Sequence, residues 1–428
     1  MKRTLLPVLL LGLAGAAHAQ QPAATVIAVP PLTSPDSGGK GNQMLAVGWD
    51  ITQAIEADLR QTAEVMPLKP NRDDYYSYPE VTAPTFSKWR SADAKALVTG
   101  FVQGRSDGRL TVGCYVYDVD KGRELARKGF IIGANDWRRA AHKCSGLAYT
   151  AITGASGIFD TRIAYVAESG VGDSRTRRIA VMDSDGYNHR YLTAGGTIVL
   201  TPRLAPKGLQ VAYVSFAGGR PSVRVVDLGS GQERPLLPVD AISFAPRYSP
   251  DGSKIVFSMM IGANCDIYVV GASGGAPLRL TTSPGVDTDP SFSPDGSKIV
   301  FESDRGGTQQ LYVMNADGSS QRRISFGGGW YAAPLWSPDG KLIAFTRRGQ
   351  DGRRIGIMNA DGTGEKLLSS GPGDEGPSWA ASSREILFQR TGANGRSSLY
   401  RMALDGSEPR QLTTPQDGSD PDWSGVMD

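Results

Sequence analysis

Few side chains in this sequence have the types and spacing for catalysis. Apart from His18 near the start, the histidines are His142 and His189, far apart in the chain. A histidine-ligated metal site, an H-E-x-x-H helix or a serine–histidine triad is hard to assemble from these. His142 stands among charged residues on a helical pattern and His189 follows a turn, so both are expected on solvated surface. Gly271-Ala-Ser273-Gly-Gly275 fits the nucleophile-elbow string G-x-S-x-G, but an elbow needs a strand followed by a helix. Here the string sits where Asn315-Ala-Asp-Gly318 and Asn359-Ala-Asp-Gly362 sit in neighbouring repeats, at a hairpin turn. The Asp-Gly pairs at 251, 295, 339 and 361 lack the carboxylate spacing of an EF-hand loop. Turn formation explains them. Neither a cofactor, a resident metal nor a catalytic residue is expected.

The three cysteines, Cys114, Cys144 and Cys265, have no metal-ligand spacing. Alternation along Leu110 to Tyr117 puts Leu110, Val112, Cys114 and Val116 on one face of a strand. A later helical stripe of Trp137, Ala140, Ala141, Cys144, Leu147 and Ala148 can meet that face. Cys114 and Cys144 therefore form either a disulfide, in an oxidising compartment, or two buried thiols.

Elements able to position a site begin after an export signal. Lys2 and Arg3 precede an apolar run from Leu5 to Ala16, and Ala17-His18-Ala19 fits cleavage before Gln20. The run is too short to span a bilayer, and no lipobox cysteine follows it. Residues 1–19 are read as a cleaved signal peptide, which makes the mature chain an exported, soluble protein. The formal net charge of +3 is small and unclustered, giving no reason to expect nucleic acid.

From about residue 160 the chain repeats itself. Prolines fall at 202, 246, 290, 334, 377 and 421. Strand ends recur at Met182, Val226, Val270, Met314, Met358 and Met402, always 44 residues apart. Each unit reads as four short strands, A to D, with a Ser-Pro-Asp-Gly turn such as Ser293 to Gly296 joining A to B. That is a propeller blade; a parallel β-helix would use shorter coils. In this reading strand A of that unit is Ser291 to Ser293, directly after its proline. The region opens at Ile163 with a strand B lacking its A and ends on Asp420-Pro-Asp-Trp-Ser424, an A lacking B, C and D. Joining these ends closes a six-bladed ring without a free edge. The fold expected is mainly β: a six-bladed propeller over 156–428, closed by a strand at 420–424. Ahead of it, 20–155 alternates helix and strand as a small α/β domain. Within it Val47, Ile51, Ile55 and Leu59 mark one helix face, and Asp136 is placed to cap another helix.

Because the strands alternate direction, D–A and B–C connections share one face of the disc. The two residues before each proline ring the channel mouth there: Leu200-Thr201, Phe244-Ala245, Thr288-Asp289, Ala332-Ala333, Glu375-Gly376 and Ser419-Asp420. This mouth varies while the opposite turns are nearly uniform, so it is the candidate binding surface. The repeated Trp336, Trp379 and Trp423, with Tyr248 and Phe292, are expected to pack between blades.

Over essentially its whole mature length the chain resembles the TolB family of the Gram-negative Tol–Pal system. Phe159-Asp-Thr-Arg-Ile-Ala-Tyr-Val166, Asp185-Gly-Tyr-Asn188, Ile55-Glu-Ala-Asp-Leu-Arg60 and Leu97-Val-Thr-Gly100 carry the resemblance, with the Ser-Pro-Asp-Gly-Ser-Lys turns. It implies a non-catalytic adaptor that binds the peptidoglycan-associated lipoprotein Pal at the channel mouth. It also implies contact with TolA through the N-terminal region, and a role in outer-membrane integrity and constriction at division. The protein is expected to act as a monomer within that complex. Carried over residue by residue, the Pal-contacting positions are Ile242, Ser243, Phe244, Ala245, Thr288 and Asp289. The mouth reading adds Ala332, Ala333, Glu375 and Asp420. Asp289 replaces a family glutamate with its charge intact, while Ile242 stands where some members have a histidine. Only Gln20 to Ala24 precede the first strand of the mature chain, whereas some members carry a longer extension that TolA grips. The competing class, an exported propeller hydrolase or dehydrogenase, would need a metal or cofactor held in the channel. Asp289 and Asp420 could contribute to that, in a mouth otherwise rich in Thr, Ala, Gly and Leu.

Overall fold

In the computed structural model the described residues are 24–427 apart from 37, 63, 70, 72–75, 171, 239–240 and 406. The expected signal peptide lies outside them. Near the N-terminus, β1 (Thr25–Ala28) leads into helix α1 (Gly38–Arg60), β2 (Val65–Pro67) and the short α2 (Phe86–Ser91). Then follow β3 (Ala96–Gly104), β4 (Leu110–Asp118), β5 (Arg123–Ile132) and α3 (Trp137–Thr153). The sheet order is β2-β1-β3-β4-β5, with β1 parallel to both neighbours and the rest antiparallel. Alternation sends Leu110, Val112, Cys114 and Val116 into one core with Ile51, Ile55 and Leu59 of α1 and Ala141, Cys144 and Ala148 of α3. Cys114 and Cys144 are bridged across that core, with Cα atoms 5.9 Å apart, and Cys265 is free and buried. Asp136 does not cap α3 with its side chain; it ends a one-turn 3-10 helix that continues directly into α3. At the other end Gly154, at φ 74°, closes α3 by returning its N–H to Thr150 O.

Six four-stranded sheets follow. Blade 1 takes strand A from the C-terminus: Asp417–Trp423 pairs antiparallel with strand B, Arg162–Ser169, placing Trp423 opposite Ile163. Its strand C is Thr176–Asp183. Blades 2 to 6 begin with strand A at Val199–Leu204, Ile242–Tyr248, Asp287–Phe292, Trp330–Trp336 and Asp374–Trp379. The strand-B phenylalanines Phe257, Phe301, Phe345 and Phe388 are fully buried between blades, each contributing roughly 2–3 kcal/mol by leaving water. Trp336, Trp379 and Trp423 are buried with them, and Tyr248 and Phe292 are half-buried against the same clusters. In the A–B turns aspartate does the shaping: Asp295 accepts the Ser293 hydroxyl at 2.6 Å and the Ser297 N–H at 3.0 Å. Gly296 there sits at φ 72°, which suits glycine.

Three sequence expectations need correction. Strand A does not start after its proline; the proline lies mid-strand, three residues after Asp287 in blade 4. His142 is not solvated but 2% exposed, in the joint between the two domains. His189 is half-buried, with Nε2 3.0 Å from the Tyr165 hydroxyl; burial lowers its pKa.

The N-terminal domain meets the propeller on the A–B and C–D side. Glu64 pairs with Arg384, beside an A–B turn, at 2.8 Å, and Gln61 accepts from Arg401 at 3.1 Å. Arg138 of α3 pairs with Asp185, in the C–D turn of blade 1, at 3.1 Å. These contacts leave the D–A mouth on the other side.

Candidate protein-binding mouth

A proline cannot donate to a β ladder, so a proline inside strand A forces an irregularity. Each strand A slips register against strand B at its proline, for example between Thr288 and Ser291 and between Ser419 and Asp422. The residue before the proline turns left-handed in every blade: Thr201 at φ 45°, Ala245 at 50°, Asp289 at 48°, Ala333 at 50°, Gly376 at 66° and Asp420 at 50°. For a non-glycine residue that conformation costs about 1–3 kcal/mol and is held by its surroundings.

In several blades the neighbouring blade holds it. After three of the buried strand-B phenylalanines, Phe301, Phe345 and Phe388, the next residue accepts the left-handed N–H of the following blade. Glu302 accepts from Ala333, Thr346 from Gly376 at 3.0 Å, and Gln389 from Asp420. Asp420 Oδ2 in turn accepts the Thr201 N–H at 3.2 Å. The mouth is thus a ring of bulges, four of them tied to the preceding blade.

Most of the predicted positions meet at this ring in different states. Ala245, Asp289 and Ala333 border a narrow cavity with Arg203 and Arg247. Phe244, opposite Ser258 on strand B, and Ile242, opposite Met260, are half-buried just ahead of the bulge. Thr288 gives its hydroxyl to Glu302 at 3.2 Å, and Ala332 pairs with Thr346. Glu375 is tied to Arg353 and Gln389. Ser243 is turned away from the mouth: it is buried, and its Oγ accepts the Val223 N–H at 3.0 Å.

Charge inside the mouth is confined. Burial pushes the Arg247 pKa down to about 10, helped by Arg203 and opposed by Asp422 and Asp289. Burial raises Asp420 against the pull of Arg203. Glu302 is raised well above the ordinary glutamate range, by burial first and then by the Asp289 charge beside it. Burial thus disfavours the Glu302 anion most strongly in this part of the mouth.

Sequence reasoning overlooked an apolar arc on the same face. Met260, Ile261, Val286, Phe326 and Trp330 lie in or beside the B–C and D–A connections of blades 3 to 5, and all are exposed. Phe326 is 74% and Trp330 54% exposed. Exposed aromatics this large in contiguous loops mark an interaction surface. The available signal was Phe326-Gly-Gly-Gly-Trp330, two aromatics in a glycine run outside the repeat template.

Among the described residues, one His/Cys/Asp/Glu group is tight enough to suggest a metal: Asp58, His142 and Asp185, at the domain joint and not in the mouth. Arg138 already places a guanidinium on Asp185 Oδ2 there.

Comparison with known proteins agrees with this architecture. Residues 149–427 match the family described as "TolB beta propeller domain", and residues 18–125 match "TolB amino-terminal domain". The chain belongs to the TolB family. "Tol-Pal system protein TolB" of Zymomonas mobilis is 50% identical over 209 residues, 49% of this chain and 46% of that protein. The same-named protein of Rhizorhabdus wittichii is 49% identical over 195 residues, 45% of this chain and 44% of its own. The chain thus spans about half the length of the curated relatives it matches. The crystal structure of TolB from Acinetobacter baumannii superposes with a TM-score of 0.75 at 26% identity, covering 94% of this chain and 97% of that one. Among the described residues no helix is long and apolar enough to cross a membrane.

Proposed function

We propose that this family member is a non-catalytic periplasmic adaptor of the Tol–Pal system. It docks the lipoprotein Pal on the D–A face of its propeller and so serves outer-membrane integrity and constriction at division. The observation that carries the reading is the ring of six left-handed bulges on the face away from the N-terminal domain. A rigid rim presents Phe244, Asp289 and the Phe326–Trp330 arc without reorganisation, which lowers the ordering cost of association. The partner's contact would centre on Ala245, Asp289 and Ala333, with Ile242, Phe244, Thr288 and Ala332 around them. Glu375 and Asp420 shape the rim from within. TolA would be met through the N-terminal region. Affinity capture of envelope proteins by the exported chain tests this: Pal retained by the wild type is the expected result. Capture of no Tol–Pal component would overturn it.

A further inference from the structure

Where α3 meets blade 1, one histidine stands between two carboxylates from opposite sides of the domain joint. His142 Nδ1 lies 2.8 Å from Asp58 Oδ2 of α1, and Nε2 lies 3.5 Å from Asp185 Oδ2 in the C–D turn of blade 1. The ring is buried, and Nε2 has no hydrogen-bond partner. Ser145 Oγ also donates to Asp58, at 2.7 Å.

The charges around the ring come from every neighbouring element. On α3 itself Arg138 bonds Asp185 and lies over the Tyr187 ring, 3.4 Å from its centroid. From strand C of blade 1 comes Asp183, held by Asn188 at 2.6 Å and flanked by Arg162 of strand B at 3.7 Å. Lys143 and Arg139 are turned to Asp160 of the linker, at 2.9 and 3.5 Å.

We propose that His142 is a charged pin between the domains. Its imidazolium binds Asp58 of the N-terminal domain on one side and Asp185 of the propeller on the other, and loss of its proton loosens the joint. A neutral imidazole has one N–H and one lone pair, so with a carboxylate at each nitrogen the lone pair would face a carboxylate oxygen. The cation alone presents an N–H to both carboxylates, donating to Asp58 Oδ2 at 2.8 Å and facing Asp185 Oδ2 at 3.5 Å. Arg138, on the same Asp185 oxygen, occupies the place a metal would need.

The electrostatics agree in direction. Burial alone would lower the His142 pKa; the Asp58 hydrogen bond and the charges of Asp58, Asp185 and Asp183 outweigh it and raise it to about 9. Burial raises Asp58 too, against His142 and Ser145. The Asp185 carboxylate, facing Nε2 at 3.5 Å, favours the proton on the ring. A folded pKa above the ordinary 6.5 gives stabilisation that is full below about 6.5 and lost as pH rises through about 9. Among the other links across the joint, Arg384–Glu64 is 57% and 40% exposed. Exposed pairs hold little.

The test is histidine side-chain NMR on the full exported chain, with His189→Gln identifying the His142 signal, alongside hydrogen exchange of residues 184–188 corrected for intrinsic pH dependence. His142 should stay protonated past pH 8, and Asp185→Asn should lower its midpoint by at least about one pH unit. Exchange in the 184–188 turn should rise about tenfold from pH 7 to pH 10, and His142→Gln should show the fast rate already at pH 7. If His142→Gln fails to fold, Asp185→Asn, which keeps the side-chain volume, gives the same exchange readout. A His142 midpoint near the ordinary 6.5, or a pH step undiminished in the variant, overturns the proposal.

Discussion

The Arg247 guanidinium of blade 3 lies 2.8 Å from the Asp422 carboxylate of blade 1, reaching past the whole of blade 2. Both side chains are largely buried, and the other Asp422 oxygen accepts the Leu204 N–H of blade 2 at 2.8 Å. One carboxylate on the last strand therefore ties three blades together at the axis.

Removing that carboxylate strands a buried arginine. Asp422→Ala should cost about 3–5 kcal/mol in denaturant unfolding, the range for breaking a buried pair from one side. Deleting residues 420–428 should lower the melting midpoint further by opening blade 1. An unchanged midpoint in the deletion would contradict closure by the C-terminal strand.

The Cys114–Cys144 bridge closes a loop of 30 residues. Thiol counting on denatured, unreduced protein should find one free cysteine, Cys265. Reduction should destabilise the N-terminal domain by about 3–4 kcal/mol on loop entropy. Three free thiols would contradict the bridge.

Glu302 gives a pH signature. Its folded pKa lies above the ordinary 4.5, so its contribution is most favourable below that value and declines as pH rises. Glu302→Gln keeps an acceptor for Ala333 and removes the ionisable group. It should raise the melting midpoint at pH 7 and change little at pH 4. An equal shift at both pH values would show that burial is not what raises the carboxyl.

Much of this was legible in the sequence, and the misses share a cause. The period of 44 residues and the orphan strands at Ile163 and Asp420 sufficed for six blades, because a propeller repeats locally. The bulge was invisible: Thr288, Asp289 and Glu375 do not read as strand, since strand A pairs with its strand B across a register slip at the proline. His142 looked solvated beside Arg138, Arg139 and Lys143, yet its partner Asp58 is 84 positions away. Phe326 and Trp330 were overlooked because they lie between repeat landmarks. Long-range pairing and loop exposure are tertiary facts that spacing does not encode.

The apolar arc makes a separable prediction. Phe326→Ser and Trp330→Ser remove exposed rings, so the melting midpoint should stay within about 2 °C. Each should weaken Pal binding by about tenfold or more, as truncation of an aromatic anchor does. Unchanged binding in both would confine the contact to the ring of bulges.

The central claim is that the partner docks on the ring of bulges, and calorimetric titration of a Pal-like lipoprotein tests it most directly. Phe244→Ala and Asp289→Lys should each weaken binding at least about tenfold, ~1.4 kcal/mol, while circular dichroism stays that of the wild type. On the opposite face, Asp295→Ala in an A–B turn should leave binding within a factor of about two. Loss of binding in the turn variant, with wild-type affinity in both folded mouth variants, would contradict the account.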